Sequence, residues 1–115
     1  MKKVFVIDDD PDQTEIAVQV LTDPRTKVRA FTDPLRALVA LSTEGADLLI
    51  VDLSMPWIGG DDFIQSARHR QPDLAIFLMS GYSRGLAIAQ EAGVHFFAKP
   101  VDWDALRAAV QRIIG

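Results

Sequence analysis

Short apolar runs punctuate the chain at Val4–Ile7, Leu48–Val51, Ala75–Met79 and Phe96–Ala98, with a weaker one at Val28-Arg29-Ala30-Phe31. They are too short for buried helices and almost unbroken, so each predicts a strand covered on both faces. The stretches between them carry apolar residues at helical spacing: Ile16, Val20 and Leu21; Leu35, Leu38 and Val39; Phe63, Ile64 and Ala67. The last is the clearest, with Asp102 as N-cap and Leu106, Val110, Ile113 and Ile114 at i, i+4, i+7 and i+8. A βα unit repeated five times predicts an α/β fold, a parallel sheet with helices on both faces and right-handed crossovers. Neither a linker nor a low-complexity tract interrupts it, so residues 1–115 are read as one domain.

Composition narrows the chemistry. The 115 residues are 49% hydrophobic and 24% charged, enough for a core without disulfides or a structural metal. The absence of cysteine excludes disulfide frameworks, thiolate zinc sites and cysteine nucleophiles. Twelve basic residues scattered from Lys2 to Arg112, under a net charge of −4, argue against direct nucleic-acid binding, which needs clustered cations. Met1-Lys2-Lys3 followed by an apolar run begins like a signal peptide, but Asp8-Asp9-Asp10 end that run after four residues. With no export or membrane segment, a cytoplasmic location is expected.

The predicted strand ends collect polar side chains unevenly. Asp8 and Asp9 follow strand 1, Asp52 strand 3, Ser80 strand 4 and Lys99 strand 5, all at carboxyl ends, where open α/β sheets bind ligands. Each has a plain structural reading. Asp10 can cap helix 1 with Pro11 in its first turn while Asp8 and Asp9 are solvated at the turn; Asp52 can be the first turn residue after its strand; Ser80-Gly81 can be a simple junction; Lys99 can be solvated before Pro100. The functional reading takes them together. Adjacent carboxylates at a buried strand end repel one another, and hard oxygen ligands without nearby His or Cys suit Mg²⁺. A carboxylate beside such an ion can attack phosphorus, while a hydroxyl and an ammonium can hold the phosphoryl oxygens. The bond before Pro100 is a candidate cis peptide. Asp47 falls at the opposite end of strand 3; His69 ends a polar helix and His95 opens strand 5, both away from the cluster. Trp57 and Trp103 read as packing residues.

In order along the chain, Asp8-Asp9, Asp52-x-x-Met55-Pro56-x-x-x-Gly60, Ser80-Gly81 and Lys99-Pro100 resemble the receiver domain of bacterial two-component response regulators, over residues 3–114. The resemblance implies a flavodoxin-like (βα)5 sandwich of strand order 2-1-3-4-5. It also implies that a sensor histidine kinase or phosphotransfer protein donates a phosphoryl group to Asp52. It assigns Mg²⁺ to Asp9, Asp52 and the backbone carbonyl of Ser54, with Asp8 acting through water, and gives Ser80 and Lys99 the phosphoryl oxygens. Phe96, three before Lys99, matches an aromatic that turns inward on activation, coupling the site to a surface of helix 4, strand 5 and helix 5. That surface would meet a downstream output domain or protein, or a second phosphorylated copy. Ser54 and Tyr82 would flank the path of an attacking water. Two departures stand out: the hydroxyl residue is Ser rather than the commoner Thr, and Ser80 to Lys99 is about one helical turn short, so helix 4 is expected to be brief or irregular, with Gly85 weakening it further.

The expectation is a phosphoaccepting receiver that acts on no substrate but itself. Two rivals are a receiver-like interaction module that works without phosphorylation, against which the complete acidic set with Lys99 argues, and a Mg²⁺-dependent phosphatase, for which the chain lacks an Asp-x-Asp at Asp52.

Overall fold

Five parallel strands form one sheet in the order β2-β1-β3-β4-β5. A computed structural model describes residues 1–52, 60–81 and 83–115. Its elements alternate without exception: β1 Lys2–Ile7, α1 Pro11–Leu21, β2 Thr26–Phe31, α2 Pro34–Thr43, β3 Leu48–Asp52, α3 Gly60–Arg70, β4 Ala75–Ser80, α4 Ser83–Ala92, β5 His95–Ala98 and α5 Trp103–Ile114. This is the flavodoxin-like arrangement. No helix among the described residues is long and apolar enough to cross a membrane.

The unbroken apolar runs are explained by a core on each side. Side chains alternate along a strand, so Val4, Val6, Leu48, Ile50, Phe77 and Met79 pack beneath α1 and α5 with Ala17, Leu21, Leu106 and Val110. The intervening Phe5, Ile7, Leu49, Val51, Ile76 and Leu78 pack beneath the other helices with Leu38, Leu41, Phe63, Ile64 and Ala89. Three helices begin on aspartate caps: Asp10 accepts from the Asp12 N–H at 3.0 Å, Asp33 from Leu35 at 2.9 Å and Asp102 from Ala105 at 3.1 Å. Pro11 and Pro34 open α1 and α2, where a missing N–H costs nothing.

Four expectations need correction. The strand at Phe96–Ala98 is not covered on both faces: β5 is an edge, with His95 and Ala98 exposed and Phe96 and Phe97 half-buried. Helix α1 buries Thr14, Ala17 and Leu21 and leaves Ile16 exposed; α2 buries Ala37, Leu38, Ala40 and Leu41 and leaves Leu35 and Val39 61% and 62% exposed. In both, alanines take the contact centre, because small side chains let a helix lie close to the sheet. Helix α5 buries Leu106, Ala109 and Val110, but Ile113 is exposed near its end. Finally, α4 is neither brief nor irregular. It runs ten residues and ends at Gly93 (φ +69°), where the Gly93 N–H bonds the Gln90 carbonyl and the Val94 N–H bonds that of Ala89, a Schellman-type close. Arg68 Nη1 of α3 donates to the Ala92 carbonyl, tying the two helix ends together.

Candidate functional site

The carboxyl end of the sheet gathers most of the residues singled out by sequence. Asp8 follows β1 and is 1% exposed; Asp52 closes β3 and is equally buried; Asp9 is exposed. One oxygen from each of the three carboxylates lies within 4.8 Å of the others. Lys99, just past β5, sends its ammonium between the two buried acids, 3.0 Å from Asp52 Oδ2 and 3.3 Å from Asp8 Oδ2. Adjacent residues at a strand end face opposite ways, which is why Asp8 turns inward and Asp9 outward.

The charges do not balance. Three carboxylates face one ammonium among these four groups. Burial pushes the Asp8 carboxyl up to about 6; the Asp10 backbone N–H, bonding Oδ1 at 3.0 Å, opposes that, the Asp52 charge adds to it, and Lys99 lowers it. Burial works against the Lys99 charge too, but its hydrogen bond to Asp52 and the charges of Asp52 and Asp8 more than offset this and hold its pKa above the ordinary lysine value. A cluster of hard oxygens carrying excess negative charge is what a small divalent cation neutralises, and among the described residues no imidazole or sulfur of the kind that selects transition metals joins it.

Ser80 closes β4 and is buried. Its carbonyl accepts from the Lys99 N–H at 2.9 Å, which locks the ends of β4 and β5 together beside the acids. The peptide bond before Pro100 is cis, the isomer put forward there. Gly81 is exposed, and a Cβ there would stand in ordinary contact with Lys99 Cβ, at 3.8 Å. Phe96, matched above to an aromatic that turns inward on activation, is half-buried and packs against the core cluster that includes Ala89 of α4. Ser54, Met55, Pro56, Trp57 and Tyr82 lie outside the described residues.

The remaining polar residues stay away from this end. Asp47, at the amino end of β3, accepts from the Lys3 N–H at 2.8 Å. His95 packs against the Phe77 and Phe97 rings, and His69 is exposed on the last turn of α3. Half-buried Trp103 opens α5 and packs on the core, as expected. The sequence reading missed the role of Gly85, taken there only as a weak point in a helix. A Cβ at that position would lie 2.5 Å from Ser80 Cβ, 2.7 Å from Ser80 Oγ and 3.0 Å from Phe96 Cε1.

Residues 4–111 match the family described as "Response regulator receiver domain". The C4-dicarboxylate transport transcriptional regulatory protein DctD of Rhizobium meliloti is 30% identical over 112 residues, covering 95% of this chain and 24% of that protein. The response regulator protein PilR of Pseudomonas aeruginosa is 31% identical over 112 residues, covering 95% and 25%. The chain thus spans about a quarter of the length of these curated relatives. A solved receiver domain protein (CheY-like) from Methanospirillum hungatei superposes with a TM-score of 0.89 at 20% identity, covering 97% of this chain and 92% of that one, a likeness of fold.

Proposed function

Because the chain belongs to the response regulator receiver domain family, we propose that residues 1–115 act as a single cytoplasmic receiver in two-component signalling, accepting a phosphoryl group on Asp52 from a sensor histidine kinase or phosphotransfer protein. The observation that carries this reading is the Lys99 ammonium shared between two buried carboxylates, with a third at hand. In the transfer, a carboxylate oxygen of Asp52 forms a bond to phosphorus as the donor's P–N bond breaks, and the imidazole leaves with that electron pair. Lys99 stays protonated and turns from neutralising a carboxylate to holding a phosphoryl oxygen. The Ser80 hydroxyl is the second donor. Asp9, Asp52 and the Ser54 carbonyl would hold Mg²⁺, with Asp8 acting through water; the ion would offset negative charge as phosphoryl oxygens arrive. The chain turns over no substrate but its own acyl phosphate, and passes the change to an output domain or protein, or to a second copy of itself, through α4, β5 and α5.

The test is incubation with a small acyl phosphate and Mg²⁺, followed by intact mass. Wild type should gain one phosphoryl group, Asp52→Asn none, and Asp9→Ala should lose the dependence on Mg²⁺ together with the gain. Phosphorylation persisting in Asp52→Asn would move the acceptor elsewhere, Asp9 first. Steady phosphate release over many turnovers would favour a phosphatase instead.

A further inference from the structure

Helix α4 reaches the candidate site through a residue that has no side chain. Gly85 is buried in its first turn, and the space a Cβ would occupy is already filled by Ser80 Cβ and Oγ and by the edge of the Phe96 ring. A separation of 2.5 Å between two Cβ positions cannot be relieved by rotating a side chain, because a Cβ is fixed by its own backbone. Either α4 or β4 would have to move. The other end of α4 is tied to α3, where Arg68 Nη1 donates to the Ala92 carbonyl.

We propose that Gly85 is a positioning residue: by letting α4 lie directly on Ser80 and Phe96, it makes the place of the Ser80 hydroxyl depend on the place of the helix. Any shift of α4 then moves a phosphoryl-holding donor, and any pull on that donor is felt by α4, since coupling between two sites is reciprocal. The proposal rests on the reading of Ser80 as such a donor. The steric contact beneath it stands independently of that reading.

Gly85→Ala separates the possibilities by sign. Helix propensity alone predicts a higher melting temperature, because alanine replaces glycine within a helix. The contact predicts a lower one, with the Ser80 Cβ and Phe96 ring resonances displaced in labelled protein. The loss should be largely recovered when Gly85→Ala is placed on Ser80→Gly, which removes the obstructing Cβ; this pair also serves if Gly85→Ala alone does not fold. With a small acyl phosphate and Mg²⁺, Gly85→Ala should slow phosphorylation about tenfold, the effect of a misplaced rather than a missing donor. On the Ser80→Ala background, which has no hydroxyl to misplace, it should slow it less than about twofold. A rise in melting temperature with Ser80 resonances unmoved would overturn the contact, as would a double variant that also fails to fold. Equal slowing on both backgrounds would overturn the route through Ser80. Wild type that takes up no phosphoryl group would overturn the receiver reading, and the melting and resonance measurements would still decide whether Gly85 sets the position of Ser80.

Discussion

The two ends of the sheet handle charge in opposite ways. At the amino end, Glu44 pairs with Arg29 and with Lys3, Asp47 takes the Lys3 backbone N–H, and Gln71 of the α3–β4 connection bonds both the N–H and the carbonyl of Ala46. The ion pairs there are opposite-signed, local and open to water. At the carboxyl end, two buried acids share one lysine and a third acid stands beside them. Water can screen the first set but reaches little of Asp8 and Asp52 in the second. A polar end that only has to be stable distributes its charges to cancel; one that receives another charged group, as proposed for the carboxyl end, is left out of balance in advance.

The strongest test of this contrast is Lys99→Ala, which leaves Asp8 and Asp52 buried with no shared cation. Breaking a buried pair costs about 3–5 kcal/mol; with Lys99 a quarter exposed, a loss of roughly 2–3 kcal/mol is expected in urea unfolding without Mg²⁺. No loss would show that the acids never depended on the lysine. Next in size is the response to the ion. At ten times its dissociation constant, Mg²⁺ should stabilise wild type by about 1.4 kcal/mol, from RT ln(1 + [L]/Kd). That gain should vanish in Asp52→Asn and persist in Asp47→Asn; its survival in Asp52→Asn would place the ion elsewhere. The smallest effect belongs to the amino end. Despite two cationic partners, Glu44→Gln should leave the urea midpoint almost where it is, because exposed pairs gain little in water. A change as large as that of Lys99→Ala would erase the distinction between the two ends.

What the sequence made legible follows the same physics. The strands of the sheet interior were plain because β1, β3 and β4 are buried on both faces, and that leaves a run of aliphatic residues no other element needs. The acids and Lys99 were plain because each stands at a strand end, and the topology brings those ends together. The helix faces were harder to read. Ile16, Leu35 and Val39 have the hydrophobicity of core residues, yet Ala17, Ala37 and Ala40 hold the contact, and an alanine carries little signal in a pattern. The difference between Asp8 and Asp9 was illegible for another reason: it depends on which way the backbone leaves β1. Gly85 could be read only once the helix was known to lie on Ser80, since a glycine that fills a gap and one that weakens a helix are the same letter.

A five-stranded open sheet has two outer strands, and each could in principle recruit a strand from a neighbouring molecule. Here both are poor templates. β5 is four residues long and runs into Lys99 and Pro100, the second of which has no N–H to offer a growing ladder. β2 carries Lys27 and Arg29, charges that a docking strand would have to bury. In a crowded solution, molecules that collide edge to edge thus find little to extend, so neither outer strand of this unclosed sheet offers a ready template for association.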